Sequence, residues 1–518
     1  MADPVPIPIL ALPPATLPLT GAEVLPMVQN GVTAQGTTAD MPFKGPSLVS
    51  VVRTAYEKMS DFISVKDFGA VGDGATDDTA AIQNALNYMG ALGGGTVYFP
   101  PGQYVHALVN VDYDNTIIQG AGSKSGGTVL LYPTSTNGIV IRALNGCGVR
   151  NLKMAPDGTA TNGAAISCLA QDAFSPQNRL QFDSLVLEGC WIGLAVWPNA
   201  NGAQVTRCNF VNCSQIAMLA GNISPGTVSN FLIQGNAFSG PLAGGAVQLR
   251  LDTATGCRVV GNRFTGDAFH IALAPQAPTT NTGGLTISGN TFQDWNSISI
   301  RIVETGVVKI NDVAITGNSM ANTRLAANSG IYIDTPSQGG HIAVTGNVIR
   351  LTGTNENGIY VADGNEVTVV GNAIQGPGAG LNGVRIGPVT NNVIVASNSI
   401  AGFGTPVLND SAGNGVLVSG NVTDYGVFNV NPSGNICQLP DWGMLINVQG
   451  SNSFNTVNTP NQVGRQVVLK FETGGSTVSA SSNLKIGANF GPTTSNDTLT
   501  LICDGSRWYE VARSVNAA

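Results

Sequence analysis

Apolar and polar positions alternate over short runs through the middle of the chain, and the runs recur with a fixed interruption. Gly330-Ile-Tyr-Ile-Asp334, Gly358-Ile-Tyr-Val361, Gly383-Val-Arg-Ile386 and Ser297-Ile-Ser-Ile300 each present one apolar and one polar face, the mark of a short half-buried strand. Between such runs stand Gly-Asn pairs at Asn236, Asn262, Asn290, Asn318, Asn347, Asn372 and Asn421, with Ser397-Asn398 and Cys208-Asn209 filling the gaps. The nine asparagines lie 23 to 29 residues apart. From Asn236 onward each follows, by three positions, an Ile or Val: Ile233, Val259, Ile287, Ile315, Val344, Val369, Val395 and Val418. A strand, a sharp turn at Asn and further strands per period predict a solenoid with three short strands in each coil. The asparagine is expected at the corner because it tolerates left-handed backbone angles, and stacked asparagines can hydrogen-bond from coil to coil. The fold class is therefore all-β, a single-stranded parallel β-helix.

The flanks read differently. Residues 1–45 are rich in Pro, Thr and Gly and cannot build a core alone. Leu48, Val51, Val52, Ala55, Met59 and Phe62 fall at helical spacing, predicting a short amphipathic neck helix over 46–64. Residues 65–105 predict a cap: Asp77 or Asp78 caps a helix with Ile82, Leu86 and Met89 on its apolar stripe, and Gly93 to Gly95 end it. A solenoid needs such a cover on its open end. Residues 106–430 carry the coils. In 431–518, Gln466–Phe471, Asn483–Ile486 and Thr498–Val511 read as alternating strands with a hairpin at Asp504-Gly505, a C-terminal β-domain.

Composition narrows the function classes. With 66 glycines, 10% charged and 43% hydrophobic residues, the chain is neither helical nor disordered. Its formal charge, 23 − 31 = −8, argues against nucleic acid as a partner, which would need a basic stripe. There is no membrane-spanning run, so membrane insertion is not expected, and Met-Ala-Asp-Pro-Val-Pro has none of the parts of a secretory leader. The eight cysteines show no metal-ligand spacing and read as buried thiols; no metal or other cofactor is predicted.

Val65-Lys-Asp-Phe-Gly-Ala-Val-Gly-Asp-Gly, then Asp77-Asp-Thr and Ala81-Ile-Gln83, then Gly-Gly-Gly-Thr-Val-Tyr-Phe-Pro-Pro-Gly102 and the Gly-Asn coils, resemble the pectate-lyase-like superfamily of right-handed β-helices. The resemblance covers 65 to about 425 and is nearest to the variety found in bacteriophage tailspikes and tail fibres. Leu19-Thr-Gly-Ala-Glu-Val-Leu-Pro26 and Gly31-Val-Thr33 resemble the short virion-anchoring segments of such spikes. What the resemblance implies is a homotrimer in the virion, attached to phage tail or baseplate proteins through residues 1–60. Its β-helix would bind host cell-surface polysaccharide, and its C-terminal domain would trimerise the spike. For that domain a carbohydrate-binding sandwich with Trp508 stacking on sugar is the alternative. For the whole protein a non-catalytic receptor-binding fibre, or a secreted polysaccharide-degrading enzyme, stands beside the expected depolymerase.

With Ile and Val taken as inward, the outward column reads Gln248, Arg250, Asp252, His270, Ser299, Arg301, Tyr332, Asp334, Tyr360 and Arg385. Arg250, Asp252, His270, Arg301, Tyr332, Tyr360 and Arg385 are the candidate substrate-binding residues. Glu304, Asp334 and Asp363 end consecutive strands 30 and 29 residues apart and are the candidate catalytic carboxylates. Glycoside hydrolysis needs a protonated carboxyl for the leaving oxygen and a carboxylate to attack or to activate water. Adjacent coils place such groups roughly 5 Å apart, and alternate coils roughly 10 Å. A lyase would instead draw its base and its uronate-neutralising cation from the arginines, His270 and the tyrosines. Trp191, Trp197 and Trp295 are candidate sugar-stacking platforms, set against the commoner role of core packing.

Overall fold

The computed structural model describes residues 62–516 apart from 143–144, 170–176, 198, 222–226, 241–245, 267–268, 276–281, 305–308, 325–328, 337–339, 354–355, 412–414, 424–427, 440–444 and 459–463. Of residues 1–61 it describes the backbone of Val24–Gln29, Val32–Thr37 and Pro42–Lys44, together with 51–54 and Lys58.

The repeating segments wind into a right-handed parallel β-helix of about 14 turns. One coil runs through Ile310–Thr316, Ser319–Asn322 and Ser329–Asp334, and each strand pairs in parallel with its counterpart one coil on. Alternation decides which side chains go in. Along one strand position Leu249, Ile271, Ile300, Ile331, Ile359, Val384 and Val407 are in register and buried, and they form part of a core cluster that runs from Ile63 to Val418.

The asparagines line the inside of one corner. From Asn262 to Asn421 each Oδ1 accepts from the backbone N–H and the Nδ2 of the preceding rung, at 2.9 to 3.0 Å. Each Nδ2 also donates to a carbonyl of the coil before, as Asn318 does to Ile287. Two expectations are corrected here. The left-handed backbone belongs to the residue before the asparagine (Gly235, Gly261, Gly289, Gly317, Gly346, Gly371, Ser397 and Gly420) and not to the asparagine itself. A side chain at that corner would be exposed, so glycine bears the turn while asparagine supplies the buried amide. The rung before Asn236 is Cys208, whose N–H donates to Asn236 Oδ1 at 2.8 Å; Asn209 begins the next strand and is exposed.

Past the ladder corner the core changes filling along the axis. Phe210, Phe238, Phe264 and Phe292 stack with centroids 4.6, 4.7 and 4.9 Å apart, and Met320, Ile349, Ile374 and Ile400 continue the same register.

At the N-terminal end helix α1 (Thr79–Ala91) buries Ile82, Ala85, Leu86 and Met89 in the same cluster as the first coils. Asp78 occupies its N-cap position, but its carboxylate accepts from Val71 N at 2.6 Å and Gly72 N at 3.0 Å, tying the preceding loop to the helix. Asp77 accepts from Thr79 N. The neck helix expected over 46–64 is not what residues 52–54 form: Val52–Thr54 is a strand paired antiparallel with Pro42–Lys44. Three β-compatible residues there found a partner, which outweighed helical spacing. Leu48, Ala55 and Met59 lie outside the described residues. Upstream, Val24–Gln29 and Val32–Thr37 pair antiparallel.

The C-terminal part has its own core, including Ile446, Leu469, Leu499, Leu501 and Trp508. Its six-stranded sheet starts with parallel pairing of Phe428–Val430, Leu445–Val448 and Gln466–Phe471, then turns antiparallel through Thr498–Cys503 and Trp508–Ser514. Asp504 Oδ1 accepts from Ser506 N and Arg507 N and shapes the hairpin turn. Trp508 is fully buried and donates to Asn458 O at 3.1 Å, so it is no sugar platform. All eight cysteines are buried thiols.

Candidate functional site

The strand that ends in Asp334 and its neighbours build an outward ladder. Arg250, Ala272, Arg301, Tyr332, Tyr360, Arg385 and Leu408 are register partners on successive coils. Flanking residues on each strand point into the core, so alternation leaves this position facing out. From Arg301 onward the ladder is continuous and rigidly packed. The Arg301 guanidinium lies 5.4 Å from the Phe269 ring centroid, the Tyr332 and Tyr360 rings meet edge to face at 5.4 Å, and the Arg385 guanidinium lies 4.9 Å from the Tyr360 ring centroid. Such stacking holds planar donors flat along the sheet. Arg385 is also fixed by Asp410, Nε to Oδ2 at 3.1 Å. Asp410 was absent from the sequence candidates, although its spacing of 25 residues from Arg385, one coil, carried the signal.

Two of the three carboxylates come together beside this ladder. Asp334 and Asp363 are register partners on adjacent coils, brought opposite by a bulge that skips Ala362. Tyr332 Oη donates to Asp334 Oδ2 at 3.3 Å. Burial, together with the Asp334 charge, pushes the tyrosine hydroxyl up to about 12. Burial also raises the Asp363 carboxyl above the usual aspartate range; the Gly364 N–H opposes this and the charge of Asp334 adds to it. These surroundings keep Asp363 protonated to higher pH than an ordinary aspartate, a property that suits a carboxyl acting as general acid.

The structure moves other candidates away. Glu304 turns into its own loop: it is 5% exposed and Oε1 accepts from Ile310 N at 2.7 Å, while its backbone N–H donates to Asp334 O. It is one residue past the register of Asp334, since Val303 is the partner. His270 and Gln248 are inside, not in the outward column. Both sit at the start of their strands, where the backbone turns a corner and alternation breaks, and the equivalent Gly330, Gly358 and Gly383 have no room for a Cβ beside core isoleucines. His270 is packed among Phe264, Phe292 and Trp295, with Nδ1 3.0 Å from Ser299 Oγ. Burial depresses it to about 3, so it is a neutral core residue. Ser299 is likewise buried, and Trp295 is core. Asp252 is 1% exposed and pairs with Arg250 at 2.8 Å; burial raises its carboxyl despite that partner. Arg250 and Asp252 therefore serve each other, one coil beyond Ala272 from the continuous ladder.

A right-handed parallel β-helix with an outward Arg-Tyr-Tyr-Arg ladder beside two carboxylates on adjacent coils is the class this architecture defines. Residues 62–297 match the family model described as "Rhamnogalacturonase A/epimerase, pectate lyase-like", which bears out the resemblance drawn from the Val65–Gly102 motifs. Among solved structures the chain is similar to the A-module of the Azotobacter vinelandii mannuronan C-5 epimerase AlgE6 (TM-score 0.56, 17% identity, 70% of this chain and 100% of that one). It is also similar to the tailspike of E. coli bacteriophage HK620 in complex with a pentasaccharide (TM-score 0.55, 12% identity, 93% and 96%). At these identities the likeness is one of fold. Among curated proteins, mannuronan C5-epimerase AlgE3 of Azotobacter vinelandii is 68% identical over 41 residues, 8% of this chain, and the match spans only 2% of that protein's length.

Proposed function

We propose that this chain is a tailspike or short tail fibre that binds host surface polysaccharide along the Arg301–Tyr332–Tyr360–Arg385 ladder and cleaves it by hydrolysis at Asp334 and Asp363. The observation that carries the reading is the pairing of those two carboxylates, on adjacent coils, beside four stacked planar groups. Flat aromatic faces suit sugar rings, and guanidinium donors suit hydroxyls and carboxylates. The HK620 tailspike, of the same fold, was solved with a pentasaccharide bound.

In this reading Asp363, the carboxyl raised by its surroundings, protonates the leaving glycosidic oxygen. Asp334, held by the Tyr332 hydroxyl, attacks the anomeric carbon as that C–O bond breaks. Water, deprotonated by Asp363, then hydrolyses the glycosyl ester and regenerates both acids. Coil spacing of roughly 4.8 Å lies near the roughly 5–5.5 Å of retaining enzymes, so retention is the expected outcome. Attachment through residues 1–60, a virion location and a homotrimer belong to the same proposal.

Full-length protein spotted on a panel of bacterial lawns, with sugar release measured from the halo, tests it. Asp363→Asn and Asp334→Asn should each cut turnover about 100-fold or more with binding retained. Full activity in both variants removes this site. Binding without products from the unmodified protein leaves the non-catalytic receptor fibre, and products that absorb as unsaturated uronates would replace hydrolysis by β-elimination.

A further inference from the structure

On the same side of the solenoid, in coils nearer the N-terminus, a cavity of about 500 Å³ is lined by four successive coils, two of which contribute strand residues and two only residues between strands. Its size falls within the roughly 300–1,000 Å³ of ligand pockets. Ser167 and Ala195 at its floor are register partners in the strand position that becomes Leu219 and then Arg250 two coils further on. The cavity and the ladder therefore share one column of the sheet, although Leu219 between them is only 6% exposed.

Trp197 lines this cavity and, unlike Trp295 and Trp508, is not fully buried. Its Nε1–H donates to Ser167 Oγ at 2.9 Å, which spends the ring's one donor on the strand below and fixes the plane of the indole. Trp197 was one of three tryptophans singled out in the sequence, and the ladder makes no use of it. Around the ring are Asn137 and Asn162, whose side-chain oxygens accept from Ala164 N and Gly163 N at 2.8 Å. Those bonds orient the amides and leave their Nδ2 groups as donors. A pinned aromatic face with amide donors at its rim fits one chemistry: the apolar C–H face of a pyranose ring with its hydroxyls turned outward.

We infer that the Trp197 cavity is a second saccharide subsite, which takes pyranose units of the same polysaccharide that lies on the Arg301–Arg385 ladder. This inference rests on the proposed polysaccharide-binding role of that ladder. From Ala195 to Arg301 the column climbs through Leu219, Arg250 and Ala272, four coil steps or roughly 19 Å. Only a chain several sugars long can reach both places, so the subsite adds affinity for long chains and none for short ones.

The test uses full-length protein with size-fractionated polymannuronate, polygalacturonate and dextran oligomers as probes, and reads dissociation constants by calorimetry against chain length. Trp197→Ala should weaken the longest bound oligomers about tenfold and leave the shortest bound oligomer unchanged, while Trp197→Phe keeps most of the affinity. Arg301→Ala should weaken every length. If Trp197→Ala binds all lengths like the unmodified protein while Arg301→Ala does not, the subsite is overturned and the ladder stands. If only Trp197→Ala weakens binding, the ladder falls, and with it the claim that one polymer spans both places. If neither variant changes binding, or no probe binds, both are overturned. An unchanged melting temperature in Trp197→Ala separates loss of contact from loss of fold.

Discussion

Each internal asparagine of the ladder is a buried amide with all of its capacity used. Asn318 donates to Ile287 O and to Asn347 Oδ1, and its own Oδ1 accepts twice from Asn290. Asn318→Ala strands a carbonyl and an N–H away from water, at about 1–3 kcal/mol per buried group. Asn421, the last rung and only partly buried, has water within reach. Asn318→Ala should therefore lower the melting temperature clearly more than Asn421→Ala, measured by thermal unfolding of the two variants side by side. Equal effects would mean that the ladder is ornamental. Arg250 and Asp252 offer a second residue-level test. Arg250→Leu leaves the Asp252 carboxylate buried without its cation, a change that costs several kcal/mol in buried pairs. Burial already raises Asp252, and a raised carboxyl contributes stability at low pH that is lost as pH rises through its folded value. The deficit of Arg250→Leu should thus be large at pH 7 and shrink on acidification, and a deficit independent of pH would contradict it.

At the scale of the element, the coil's middle is a stack, and the stack shows what periodicity reveals and what it hides. The Asn ladder, the three strands per coil and the inward Ile and Val positions were legible because every coil repeats the same chemical need. The strand starts were not. There the backbone turns, the alternation of sides fails for one residue, and His270 and Gln248 fall inside where a period of two places them outside. Glu304 was misplaced for a related reason, since a one-residue offset at the strand end turns a groove carboxylate into a loop cap. The outward Arg301, Tyr332, Tyr360 and Arg385, in mid-strand, were read correctly, and so was the adjacency of Asp334 and Asp363. His270 now carries its own prediction. Its imidazole is held at about 3 by burial, below the usual histidine value near 6.5, so its stabilising contribution is complete above about pH 6.5 and is lost as pH falls toward 3. His270→Phe, which keeps a ring in the stack, should flatten the fall in melting temperature over that acid range. A variant as acid-sensitive as the original places the acid-labile group elsewhere. Phe264→Ala, which opens the stack between Phe238 and Phe292, should cost about 3–5 kcal/mol at any pH.

At the scale of the molecule, the β-helix core ends near Val418 and a separate core begins at Cys437, so the C-terminal part is held by its own packing. Its last two strands leave an apolar strip uncovered. Ile502 and Tyr509 are register partners, Val511 is the bulge residue beside them, and Val515 follows; they are 38, 36, 53 and 69% exposed. A face of this kind, on strands whose opposite side buries Leu499, Leu501 and Trp508, is the surface that a second copy of the chain would cover, and it is where the proposed trimer contact should lie. Ile502→Glu combined with Val511→Glu places charge on that strip without touching either core. Sedimentation should then change from a trimer, about three times the 53.1 kDa chain, to a monomer, with the melting profile of the β-helix retained. A double variant that remains trimeric would move the contact elsewhere, and an unmodified protein that sediments as a monomer would end the trimer altogether.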